Sequence, residues 1–167
     1  FIVGIIALSL FSGSATFSQS VRSLVREGNS LYKDQKYGDA EVSYRKALEK
    51  EQDLVPGNFN LGNSLYKQDK ADEAIKAYEN ALMKAENKET KAEALYNMGN
   101  ALMKGQRYQE AVKSYIESLK LNTKDQDTKY NLSYALAKLK EQQQQQQQNK
   151  NDKNKDDKKD QQKDKQN

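Results

Sequence analysis

The stretch Leu61-Gly62-Asn63-Ser64-Leu65-Tyr66-Lys67, followed by Ala74, Tyr78 and Ala81, decides the fold, because its residues return at fixed distances on both sides. Gly28-Asn29 and Gly99-Asn100 repeat Gly62-Asn63, and Leu31, Leu65 and Leu102 stand three residues after each Gly. The Gly-to-Gly separations are 34 and 37 residues, and another 34 leads from Gly99 to Ser133. Ala40, Ala74 and Ala111 follow each Gly by 12, then come Tyr44, Tyr78 and Tyr115, and finally Ala47, Ala81 and Ser118. Within a unit the apolar positions, such as Ala74, Tyr78, Ala81 and Leu82, recur at helical intervals, which predicts amphipathic helices rather than strands.

The small residues explain the pattern. Gly on a first helix and Ala on a second let two antiparallel helices approach, and Leu and Tyr fill the space that remains. The turns are expected at Lys36-Tyr37-Gly38-Asp39, Lys70-Ala71-Asp72-Glu73 and Arg107-Tyr108-Gln109-Glu110. A helical hairpin of this kind cannot bury its apolar face alone and must stack on a neighbour.

Over Val21 to Asp125 the agreement of small and large positions resembles the tetratricopeptide repeat. The resemblance implies an all-α solenoid of three helix-turn-helix repeats, 21–54, 55–88 and 92–125, plus a C-terminal capping helix at 126–141, together a domain spanning 21–141. The chain departs from the family in two places. Leu24, Asn58 and Leu95 replace an aromatic near the start of the first helix, and Gln52, Glu86 and Thr123 replace the closing Pro; both changes are expected to loosen local packing without altering the fold. Pro56 falls where a helix should begin, a first turn that tolerates its fixed φ. Three extra residues near Glu89 to Lys91 precede Ala92, and Thr90 with Glu93 has the spacing of a capping box, predicting the next helix start there. Thr128 to Lys140 repeats the first-helix pattern with no second helix after it, so it reads as a cap with a water-tolerant outer face.

Flanking zones differ sharply in composition. Phe1 to Phe11 is apolar apart from Ser9 and is followed by small residues through Ala15, then Thr16-Phe17-Ser18-Gln19. Residues 1–19 read as the remnant of a signal peptide whose first residues are missing, cut near Gln19; an uncleaved membrane anchor is the competing reading. Gln142 to Gln148 is pure Gln, and 149–167 holds only Asn, Lys, Asp and Gln. With no apolar side chain to offset ordering entropy, 142–167 is expected to be a disordered, mixed-charge tail, although Gln is a fair helix former and the run could prolong the preceding helix.

Cys and His are both absent, which removes thiolate and imidazole metal ligands, the cysteine nucleophile and the commonest general base. No cofactor and no metal is implied. The carboxylate pairs Asp72-Glu73 and Asp156-Asp157 fall on a turn and in the tail, without an apolar pocket to shift a pKa, so catalysis has no candidate residues. The formal charge of +4 comes from interspersed Lys and Asp/Glu, unlike the basic face of a nucleic-acid binder.

The family resemblance implies that first helices line a concave groove. Asn60, Asn97 and Asn131 form one row, Asn29, Asn63 and Asn100 a second, and Lys33, Lys67, Lys104 and Lys138 a third. Tyr32, Phe59, Tyr66, Tyr96 and Tyr130 lie between them. An Asn amide both donates and accepts, so such a ladder can hold the backbone of an extended peptide, with Lys favouring acidic groups. Four first helices about 10 Å apart give room for about nine extended residues. The same Asn and Lys are common in this family, where they also serve helix packing, capping and solubility. Some relatives grip a C-terminal carboxylate with two Asn and several basic residues. Asn29 and Asn60 match the Asn positions, whereas Val25, Glu93 and Asn97 stand where the cations belong, so that grip is not expected unless Arg22 and Arg26 substitute.

The order of parts, with Glu41-Val42-Ser43-Tyr44-Arg45-Lys46-Ala47-Leu48 and Thr128-Lys129-Tyr130-Asn131-Leu132, is similar to the exported BatC family of the Bacteroides aerotolerance operon. That resemblance implies a periplasmic adaptor, not an enzyme, partnered by membrane-anchored von Willebrand A-domain proteins. The interspersed charges argue for no nucleic-acid partner, and membrane contact is expected only through the signal segment if it stays uncleaved. The rival expectation is a scaffold that self-associates through its terminal helices.

Overall fold

The computed structural model describes residues 19–163; the signal-remnant reading of residues 1–18 and the end of the tail, 164–167, lie outside the described residues. Among the described residues every element is a helix: α1 (Val21–Lys33), α2 (Tyr37–Lys50), α3 (Val55–Lys67), α4 (Ala71–Lys84), α5 (Lys88–Lys104), α6 (Tyr108–Leu121) and α7 (Gln126–Lys163). Each packs on the helix before it and the helix after it. In addition α1 touches α3, α3 touches α5 and α5 touches α7, whereas α2, α4 and α6 do not meet one another among the described residues. The odd-numbered helices therefore line the inside of the curve and the even-numbered ones the outside.

The expected small-residue contacts hold this stack together. Ala40, Ala74 and Ala111 are fully buried, as are the rings of Tyr44, Tyr78 and Tyr115. Those three rings lie on Gly28, Gly62 and Gly99, where an added Cβ would come within 2.5, 2.6 and 2.5 Å of ring carbons. Leu65, Ile75 and Leu102 join Ala135 of α7 in the same core.

The first helices end differently from the expectation. Each closes in a Schellman motif, with Lys36 N–H donating to Leu31 O at 2.9 Å, Lys70 to Leu65 O at 3.0 Å and Arg107 to Leu102 O at 2.9 Å. The turns thus lie at 34–36, 68–70 and 105–107, and Tyr37, Ala71 and Tyr108 already begin the second helices. The left-handed residue is not Gly in any of them but Gln35, Asp69 and Gln106, with φ of 60°, 64° and 58°. The first two bends hold no Gly or Pro, and in the third Gly105 stands one position before the left-handed residue, so the sequence offered no dependable marker of their positions.

Two further expectations are corrected. α5 starts at Lys88, not at Thr90, because Asn87 Oδ1 accepts from Thr90 N–H at 2.7 Å and caps the helix itself. The extra residues are absorbed as added helical turn, making α5 17 residues long against 13 for α1 and α3. The expected disorder of 142–167 does not hold for its described part, since α7 continues to Lys163. Extending a helix already nucleated adds a hydrogen bond per residue with no new nucleation cost, and Gln and Lys are good helix formers. Asp125 nucleates α7 by accepting from Thr128 N–H at 3.1 Å and Thr128 Oγ1 at 2.6 Å.

Replacing the family aromatic does not loosen the packing either. Leu24, Asn58 and Leu95 are all buried, and the Asn58 amide donates to Gln52 O at 3.0 Å and Leu54 O at 3.2 Å, tying down the loop after α2. No described helix is long and apolar enough to cross a membrane.

Candidate functional site: the concave face

The inner face is built from α1, α3, α5 and α7, and it brings the predicted Asn rows together in a defined network. Tyr44 Oη donates to Asn29 Oδ1 at 2.7 Å, Tyr78 to Asn63 at 2.8 Å and Tyr115 to Asn100 at 2.7 Å. The same oxygens accept a second bond from the next repeat: Asn60 Nδ2 to Asn29 at 3.0 Å, Asn97 to Asn63 at 3.5 Å and Asn131 to Asn100 at 2.9 Å. Each junction is thus a phenol, an Asn carbonyl and an Asn amide in series. Burial pushes the Tyr44 phenol up to about 12, helped by the nearby Tyr32, and pushes Tyr78 and Tyr115 higher still. These groups stay neutral at physiological pH and keep the hydroxyl proton they donate to the Asn carbonyls.

The network changes the meaning of the ladder. Asn29, Asn63 and Asn100 use their carbonyls for the fold, which leaves their NH2 groups as the half available to a ligand. These NH2 groups suit carbonyls and carboxylates, whereas Asn60, Asn97 and Asn131, which donate to the network, present their carbonyls as acceptors.

A cup recurs along the groove at the same register. Between α1 and α3 it is lined by Asn29, Tyr32, Lys33, Tyr44, Asn60 and Asn63, with a volume of about 290 Å³. Between α5 and α7 the equivalent residues are Asn100, Met103, Lys104, Tyr115, Asn131 and Tyr134, joined by Tyr66, Tyr108 and Lys138, around about 320 Å³. Met103, Tyr108 and Tyr134 were not singled out in the sequence; the repeat register, which places Met103 with Tyr32 and Tyr134 with Asn63, was the signal that could have found them.

The Lys row is not uniform. Lys104 reaches back to the preceding repeat, pairing with Asp69, donating to Tyr66 O at 3.0 Å and lying 4.5 Å over the Tyr66 ring. Lys138 pairs with Glu141 at 2.9 Å. Lys33 and Lys67 have no carboxylate partner among the described residues, although each ends a helix, where a cation also complements the helix dipole. Of the intervening rings, Phe59 packs edge-on against Tyr78 and Tyr96 tilts against Tyr115, so both belong largely to the wall. Tyr130 stands apart at 74% exposure on α7. Among the described residues no cluster of three or more His, Cys, Asp or Glu could hold a metal ion.

Comparison with known proteins agrees with this geometry. Residues 55–88 and 92–125 each match a tetratricopeptide-repeat family model, so the chain carries tetratricopeptide repeats, and the same helical stacking continues on both sides of them. Its fold is similar to the first repeat domain of Spaghetti (RPAP3) bound to the HSP90 peptide SRMEEVD, at 22% identity over 73% of this chain and 94% of that one, with a TM-score of 0.67. It is also similar to the second repeat domain of human RPAP3 in complex with the HSP70 peptide SGPTIEEVD, at 21% identity, 69% and 93% coverage and a TM-score of 0.64. A third similar structure is YrrB, described as having an unusual peptide-binding site, at 23% identity, 71% and 59% coverage and a TM-score of 0.62. Compared with curated protein sequences the chain has no match.

Proposed function

We propose that this chain is a non-enzymatic adaptor of the cell envelope that holds an extended segment of a partner protein in its concave groove. The observation that carries the reading is the inner face itself: NH2 groups of Asn29, Asn63 and Asn100 left over from the fold, beside Lys33 and Lys67 with no carboxylate partner among the described residues. Peptides bound to the similar domains of RPAP3 support the use of such a face. The carboxylate grip of some relatives is not part of the proposal, since Val25, Glu93 and Asn97 occupy its cation positions and Glu93 would repel the ligand.

The envelope assignment draws on the apolar run Phe1–Phe11 and the small residues after it, which match an export signal. Resemblance to the BatC family extends it to an aerotolerance or stress complex with membrane-anchored von Willebrand A-domain proteins. The test is a pull-down from envelope extract with chain starting at Gln19, beside Lys33→Glu/Lys67→Glu. A partner held by the first and lost by the second at equal helicity supports the adaptor; identical capture by both contradicts it. Asn63 is a poor choice for this test because removing it strands the Tyr78 phenol.

A second reading, self-association through the ends, is favoured by one observation. Leu136 is 49% exposed, whereas Leu102 at the equivalent position is 3% exposed beneath α6. A mass that rises with concentration would favour it.

A further inference from the structure

The two ends of the groove differ in chemistry. At the α1 end, Arg22, Arg26, Asn29 and Lys33 are spaced four, three and four apart, which puts them in one stripe along the helix. A cleft of about 500 Å³ runs beside the first three, walled by Val25, Leu54 and Pro56, and it shares Asn29 with the first cup. Arg22, Arg26 and Lys33 have no carboxylate partner among the described residues; the one carboxylate lining the cleft is Glu51. At the other end the cations are already neutralised, Lys104 by Asp69 and Lys138 by Glu141. There the cup offers Met103, Tyr108 and Tyr134 instead. The substitutions that make this difference are local: Met103 for Tyr32 and Tyr134 for Asn63.

From this contrast we infer that the groove is directional, taking a segment whose acidic residues lie over the α1 stripe and whose aliphatic or aromatic anchor fills the α5–α7 cup. The inference rests on the groove reading above and names the chemistry of its partner. Exposed cations without a carboxylate partner favour an acidic ligand, because a charge-assisted hydrogen bond is about twice as strong as a neutral one. A thioether and two phenol rings around a small cup favour an apolar side chain that covers them. The cups are two repeats apart, about 20 Å at ordinary helix spacing, so acid and anchor should be separated by about six extended residues.

The experiment uses the chain from Gln19 to Asn167 and synthetic 14-residue peptides, acetylated and amidated, carrying Asp-Glu-Asp and a single Phe. Spacings of three, six and nine residues are made in both chain orders, with fluorescence anisotropy read at low and moderate salt. One order at the six-residue spacing should bind at least about tenfold more tightly than a scrambled peptide of equal composition. Arg22→Glu/Arg26→Glu should lose about tenfold on that peptide and nothing on its Asn-Gln-Asn version. Tyr134→Ala should weaken the Phe peptide and leave the Phe→Gly peptide unchanged. All three replaced side chains are exposed, so helicity should be retained, and circular dichroism checks it.

Equal binding of both orders and of the scrambled peptide, or indifference to Arg22→Glu/Arg26→Glu, overturns the inference. So does a requirement for a free terminal carboxylate in place of the amide. If these fail while Lys33→Glu/Lys67→Glu still abolishes capture of a partner from extract, the groove reading stands and only this ligand chemistry falls.

Discussion

The ring of Tyr78 lies so close over Gly62 that a Cβ on that residue would stand 2.6 Å from Cε1. The ring cannot retreat: it is 1% exposed and its hydroxyl is tied to Asn63. Gly62→Ala therefore trades about 1 kcal/mol of helix propensity for overpacking that costs about 1–3 kcal/mol. We expect a net loss, seen as a lower urea midpoint. Gly38→Ala is the contrast, because its nearest neighbour is the Gln68 side chain at 3.8 Å; it should be neutral or stabilising in the same measurement.

Ser64 Oγ is buried and finds no hydrogen-bond partner, unlike the buried hydroxyls of Ser114 and Ser118, which donate to Leu95 O and Ala92 O. Ala101 and Ala135 hold the equivalent place in the later repeats. Ser64→Ala removes an unsatisfied group at little cost in volume and should stabilise the fold by about 1 kcal/mol. A lower urea midpoint would show that the hydroxyl is satisfied in solution.

At the end of α5 the Gly is one position early. Gly105 has φ of −78°, while Gln106 takes the left-handed conformation at 58°. Gln106→Gly should relieve strain of about 1 kcal/mol. Gly105→Ala meets nothing closer than 3.6 Å and should gain about 0.5–1 kcal/mol by limiting the unfolded chain. Thermal melts of each variant and the pair check both signs.

The buried phenols make the fold sensitive to alkali. Tyr44 is raised to about 12 by burial, with Tyr32 adding to it, and Tyr78 and Tyr115 are raised further. A phenol whose folded pKa exceeds its unfolded value near 10 contributes its full stability below pH 10, and that contribution is lost as pH rises toward the folded value. Above pH 10, tyrosinate absorbance from these three should appear together with loss of helical ellipticity. Smooth titration of all ten tyrosines with helicity intact would contradict this.

Much of the fold was legible because helix packing leaves strict traces: Gly28, Gly62 and Gly99 against Tyr44, Tyr78 and Tyr115 require their residue types at their spacing. The turns were misplaced because Gln35, Asp69 and Gln106 carry the left-handed conformation without the Gly that usually announces it. The start of α5 was misread because Asn87 and Thr90 both offer a cap, and only geometry chooses between them. In the groove, sequence register found the Asn and Lys rows but not their state. Whether an Asn carbonyl is spent on a Tyr hydroxyl, or Lys104 on Asp69, depends on contacts between residues 15 to 35 positions apart. The helical continuation beyond 141 was allowed for by the Gln run but ranked below a disordered tail, because composition reports the absence of a core partner and not the ease of extending an existing helix.

The most direct test of the central claim is photocrosslinking from inside and outside the curve. A photoreactive phenylalanine analogue replaces Lys67 on α3, or Lys76 on the outer helix α4, and the chain from Gln19 is irradiated in envelope extract. The account predicts a discrete crosslinked partner from position 67 and none from position 76, with the crosslink lost in Lys33→Glu. Equal crosslinking from both positions, or a partner captured only from position 76, would contradict a groove-held ligand and move binding to the convex face.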